Sequence, residues 1–187
     1  MKLFKLIGII AGVLFLSYTA HSQDWKNAGT VSGNFQLDGQ YYTQDSAISA
    51  VVPSEKMALS GFGNILYRNG KFTAGMRFET YLPAPVGDPA SVSTGAPWTG
   101  TGIGYRFAQY SGDLLDITVG NFYEQFGSGM ILRTWEDRGL GVDYSLDGIR
   151  VKARPSRGIE LTGLYGKQRY NFVDGLRNGD GIVRGIN

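Results

Sequence analysis

The chain has 187 residues with 18 Lys+Arg against 16 Asp+Glu, no cysteine and one histidine. Disulfides, thiol chemistry and lipid attachment through cysteine are excluded outright. Lys2 and Lys5 stand before an uncharged apolar run from Leu6 to Leu16, and Ala20-His21-Ser22 has the small-x-small form of a cleavage site, so residues 1–22 are predicted to be a secretory signal peptide.

Cleavage before Gln23 leaves a mature part with 16 residues of each charge, which is neutral and gives no footing for nucleic acid. The single histidine, His21, leaves with the signal, so residues 23–187 hold neither His nor Cys. Ser-His-Asp and Cys-His catalysis and zinc sites built on those side chains are thereby excluded. No catalytic residue, metal site or cofactor is predicted, and the chain is expected not to be an enzyme.

The 28 glycines and the 13% aromatic content favour strands over helices. After Gln23 the apolar residues repeat with period two. In 34–42, Phe35, Leu37, Gly39 and Tyr41 oppose Asn34, Gln36, Asp38 and Gln40. A strand over 57–68 has mixed faces. In 71–81, Phe72, Ala74, Met76 and Phe78 oppose Lys71, Thr73, Arg77 and Glu79. In 101–109, Ile103, Tyr105 and Phe107 are set against Arg106; in 114–120, Leu115, Ile117 and Val119 against Asp116 and Thr118. In 149–154, Ile149, Val151 and Ala153 oppose Arg150, Lys152 and Arg154; in 159–166, Ile159, Leu161, Gly163 and Tyr165 oppose Glu160 and Thr162. The stretch 181–187 is too short to read.

The connections alternate in length. Short turns fall at Asn69-Gly70, Ser111-Gly112-Asp113 and Pro155-Ser156-Arg157-Gly158, with long connections over 43–56, 82–98, 121–147 and 167–180. This is the pattern of an outer-membrane barrel, with short periplasmic turns and long extracellular loops. The expected fold is all-β, an antiparallel transmembrane β-barrel over residues 23–187, with apolar faces toward lipid and charged faces toward a lumen. A β-sandwich with the faces reversed is the rival. The end at Arg184-Gly185-Ile186-Asn187 lacks the terminal aromatic residue that barrel assembly machinery reads, so the barrel is expected to be incomplete at its C-terminus and the chain to be the N-terminal part of a larger one.

The candidate lumen residues are Arg77, Arg106, Arg150, Lys152 and Arg154 on polar strand faces, and Arg133, Glu136, Asp137 and Arg138 in the long connection. That connection either folds into the lumen, where opposed charges form a transverse field, or packs on its own aromatics. The strand cations either form a basic wall or pair with Glu79, Asp116 and Glu160. Tyr41, Tyr42, Tyr67, Tyr81, Trp98, Tyr105, Tyr110 and Tyr165 fit an interfacial girdle better than a sugar platform.

The block from Gly120 to Arg154 contains Asn121-Phe122-Tyr123-Glu124-Gln125-Phe126-Gly127-Ser128-Gly129, Trp135-Glu136-Asp137-Arg138-Gly139-Leu140-Gly141 and Asp147-Gly148-Ile149-Arg150-Val151. It resembles a family of Bacteroidetes outer-membrane proteins of unknown function. The resemblance implies a barrel, usually longer than this chain, and transfers no catalytic or binding residue. The expected function is that of an outer-membrane barrel, porin-like toward small solutes, in contact with outer-membrane lipid and handled by the assembly machinery. The alternative is a non-transport binding, assembly or structural component of the same membrane.

Overall fold

The computed structural model describes residues 28–49, 52, 54–85, 89–91 and 98–187; the predicted signal peptide and part of the 82–98 connection lie outside them. Ten strands form: β1 (Thr30–Tyr41), β2 (Met57–Asn69), β3 (Phe72–Tyr81), β4 (Gly100–Ser111), β5 (Leu115–Phe122), β6 (Glu136–Asp137), β7 (Val142–Asp143), β8 (Leu146–Ser156), β9 (Ile159–Phe172) and β10 (Leu176–Ile186). Eight of them make one antiparallel meander in the order β1-β2-β3-β4-β5-β8-β9-β10, and β6 and β7 pair as a small hairpin between β5 and β8. The large sheet is not closed into a barrel. β1 and β10 are its two edges, and because the strand number is even they run antiparallel to each other.

The sheet is rolled. Neighbouring strands lie about 4.8 Å apart, so β3 and β9, four steps apart, would sit about 19 Å from one another in a flat sheet. Instead the rings of Tyr81 at the end of β3 and Phe172 at the end of β9 are 5.3 Å apart, and Thr99 bridges Val173.

Alternation gives each strand its two faces. On the outer face, Ile65 stands opposite Met76 and Gly63 opposite Phe78. Further along, Val119 pairs with Ile149, and Ile149 with Tyr165. These side chains are exposed, Phe78 at 43% and Val119 at 53%. The inner face carries Arg77 and Glu79, which are buried at 6% and 0% exposure. Arg169 is buried on the same side, beside them. The sheet thus inverts the usual arrangement of a water-soluble fold, in which unpaired charge stays outside and apolar surface inside.

The Asn69-Gly70 signal finds its hairpin one position off. Asn69 ends β2 opposite Phe72, and Gly70 opens the turn with φ 55°, a left-handed value that two-residue hairpin turns need and glycine supplies without strain.

Three expectations are corrected. Arg106 does not share a face with Arg77. The β3–β4 register shifts after the pairs Met76–Arg106 and Arg77–Tyr105, so that Phe78 meets Ile103. This bulge turns Tyr105 and Phe107 inward and leaves Arg106 outside with Met76. Gly104 is the extra residue, and the Glu79 carboxylate lies so close that a Cβ there would run into it. The 167–180 stretch is not a long connection, because β9 runs to Phe172 and β10 starts at Leu176. Register breaks between Arg177 and Ile182 hide the period there. Finally, Tyr81 and Trp98 form no girdle. They are buried with Phe172, Ala84 and Ala90, while Tyr105 lies inside, stacked on Tyr123.

Candidate functional site

The connection from β5 to β8, residues 123–145, lies across the inner face. Its first part is a hairpin of its own. Thr134 Oγ1 accepts from the Glu124 amide at 2.8 Å, the Thr134 amide donates to the Glu124 carbonyl at 2.9 Å, and Phe126 N donates to Leu132 O. Gly127 and Gly129, with φ 53° and 87°, make the tip, so the glycines that resemble a phosphate loop serve a turn. Phe126 then packs with Phe122, Leu146 and Leu164, with Leu132 and Val183 at the margin. The second part brings Glu136, Arg138 and Asp143 over β2 and β3, where Arg138 sits 4.3 Å above the Phe62 ring.

Beneath it Arg77 and Arg169 are locked to Glu79 and Asp143, with Glu136 bonded to Arg77 at the margin. Arg77 donates Nε to Glu79 at 2.6 Å, Nη1 to Glu136 at 2.8 Å and Nη2 to Asp143 at 2.7 Å. Arg169 donates Nη1 to Asp143 at 2.8 Å and Nη2 to Glu79 at 2.8 Å. Tyr81 OH donates to Glu79 and Tyr123 OH to Asp143 at 2.9 Å. Arg169 also lies 4.4 Å over the Trp98 ring. Burial first, and then the Asp143 charge, push the Tyr123 phenol well above its ordinary value, so it remains a donor at neutral pH. The four central charges cancel. A buried ion set of this kind holds its members strongly, because removing one strands the others without solvent, at about 3–5 kcal/mol.

A second set lies closer to the short turns. Glu124 receives Arg150 at 3.2 Å and Lys152 at 3.0 Å, and Arg150 also donates to Thr118 Oγ1 at 3.0 Å. Arg154 binds Asp116 at 2.6 Å and Glu160 at 2.9 Å.

The structure therefore brings together Arg77, Glu136 and Arg138, and separately Arg150 and Lys152. Arg106 pairs with Asp147 at 3.5 Å on the outer face. Arg133 lies over Trp135, and Asp137 caps the turn at Leu140. Arg154 stands apart with its two carboxylates. Arg169, Asp143 and Tyr123 were not singled out from the sequence, because Arg169 falls in a stretch without clear period and Asp143 in a presumed loop. Among the described residues no group of three or more acidic or histidine ligands is placed to hold a metal ion.

A protein-family model described as a family of unknown function, DUF6029, matches residues 2–187. No curated protein and no solved structure matches the chain.

Proposed function

The chain belongs to the DUF6029 family, a family of unknown function, and from its own geometry we propose that it is an exported outer-membrane β-barrel protein with a porin-like role toward small solutes. One observation carries this reading: apart from the Arg106–Asp147 pair, the sheet exposes apolar side chains on its outer face and buries Arg77, Glu79 and Arg169 on the inner one. In hydrocarbon that arrangement is favourable, since apolar side chains meet lipid tails and polar groups are satisfied inside. In water the same outer face, with Phe35, Phe78, Val119 and Ile149 all uncovered, would be an aggregation surface. The signal-like segment 1–22, recognition by the assembly machinery and location in the outer membrane belong to the same proposal. No catalytic step is part of it.

A sheet edge cannot stay open in lipid, because its backbone N–H and C=O groups find no water there. Closure joins the β1 and β10 edges, directly or through further hairpins. Their opposite directions allow either with ordinary antiparallel ladders. The 123–145 connection then lies inside the barrel and narrows it.

Conductance across planar bilayers tests the reading. Discrete channel steps support passage of solutes. A second reading, a non-transport envelope component, has one specific observation in its favour: the middle of the inner face is filled by the Arg77–Asp143–Arg169 set and the Phe126 cluster. Protein that resists extraction by carbonate yet never conducts would select it. Recovery of folded protein in buffer without detergent would remove both.

A further inference from the structure

The 123–145 connection reaches across the inner face from Phe62 of β2 to Val183 of β10 but does not extend over the edge strand β1. Every residue of β1 is exposed, including the inward-facing Asn34, Gln36 and Gln40. Nearly all the charge on the rest of the inner face is consumed at close range: Arg77 and Arg169 by Glu79 and Asp143, Arg150 and Lys152 by Glu124, Arg154 by Asp116 and Glu160. What remains open to water along the inner side of β1 is mostly amide, with one carboxylate, Asp38.

Resting on the barrel reading, we infer that the inner face of β1, with Asn64 of β2 beside it, is a solute lane selective for neutral polyhydroxylated molecules of the sugar class. The amides are already ordered. Asn64 Nδ2 donates to Asn34 Oδ1 at 2.7 Å, Gln36 Nε2 donates to Asp38 at 2.9 Å, and Tyr42 OH donates to Gln40 Oε1 at 2.7 Å. Each such bond uses one donor or one acceptor of a primary amide, which has two N–H groups and two lone pairs on oxygen. The unused capacity is both donating and accepting, as a hydroxyl is, so a sugar can exchange its water for amides position by position. A charged solute gains less from the exchange, because neutral amides repay its lost hydration less fully than an opposite charge would. The lane offers one carboxylate, Asp38, already accepting from Gln36, and one guanidinium, Arg68, at the other end of the β1–β2 ladder. Phe62, with Arg138 over its ring, is the wall between the lane and the filled centre.

The test is swelling of vesicles that hold the full protein, in a neutral hexose, a sugar acid and an amino sugar of equal size. The hexose is expected to enter at least about threefold faster than either charged sugar, as expected where neutral hydrogen bonds line the path. The double variant Asn34→Asp, Gln36→Glu is expected to slow the sugar acid and speed the amino sugar, with the folded form still resistant to detergent. Equal entry of charged and neutral sugars, or a ranking untouched by the double variant, overturns the lane. Membrane-embedded protein that passes none of the three sugars also overturns it and leaves the membrane reading standing. Protein that never associates with vesicles fails the membrane reading itself.

Discussion

β1–β2 and β3–β9 are made of the same kind of strand, yet one inner face is bare and the other is sealed. Asn34, Gln36 and Gln40 on β1 are exposed, whereas Arg77, Glu79 and Arg169 have almost no contact with solvent. Part of the difference is that β1 is an edge of the sheet and is exposed on both faces. The rest comes from the 123–145 connection, which places Asp143 and Glu136 on Arg77 and stops at Phe62. Most inner-face charge sits where a covering segment or a neighbouring strand satisfies it, and amides predominate along β1, with Asp38 the exception. The comparison teaches that in this sheet the side-chain chemistry of each inner face follows what lies above it.

The comparison breaks most visibly at its ionic centre. Arg169→Met leaves Glu79 and Asp143 short of a partner and is expected to cost about 3–5 kcal/mol, read as a lowered urea midpoint of refolded protein in detergent. A loss under about 1 kcal/mol would mean that water reaches these groups and that the connection is loosely laid. Phe126→Ala removes the aromatic anchor under the first hairpin, where Phe126 is 8% exposed. About 3 kcal/mol is expected, with faster proteolysis at the 127–131 tip as a local reading. Gly104→Ala is a smaller intrusion. Its methyl meets the Glu79 carboxylate, and about 1–3 kcal/mol follows from overpacking.

The bare region should behave oppositely. Asn34→Ala and Gln40→Ala are expected to stay within about 0.5 kcal/mol of the parent in the same unfolding assay; a loss as large as that of Phe126→Ala would mean that β1 is covered after all. The smallest effect sits outside the sheet faces. Lys71 in the β2–β3 turn meets Asp113 of the β4–β5 turn at 3.0 Å, and this hydrogen bond and charge raise the lysine value. A raised cation stabilises below its unfolded value and loses that contribution as pH climbs through the folded one. Lys71→Met should therefore narrow a slight stability difference between pH 9 and pH 11.5, read in paired melts.

Much of this was legible in the residues. Phe72, Ala74, Met76 and Phe78 set against Arg77 and Glu79 marked both faces of β3 because the extra residue of the β3–β4 bulge lies on β4 and leaves the alternation of β3 intact. Pairing of the strand cations with acidic neighbours was one of two readings the alternation left open; Arg154 meets Asp116 and Glu160 off register, since Asp116 stands opposite Lys152. The β4 faces could not be foreseen, because the extra residue at Gly104 shows only in the pairing with β3. The β9–β10 hairpin was missed because its register breaks erase the period, although Asp174 and Gly175, both at positive φ, mark its turn. The closing of Asp143 onto Arg77 and Arg169 joins segments separated by 66 and 26 positions, and no local spacing encodes that.

The opposed directions of β1 and β10 carry one further consequence. A hairpin is two strands, so inserting or deleting one returns the chain to the same rim with the same polarity. Girth can therefore change during evolution in steps of two while the β2–β3, β4–β5 and β8–β9 turns keep to one side and the long excursions, with the tight β9–β10 turn, to the other. A lineage built on this meander could widen or narrow its ring without redesigning either surface.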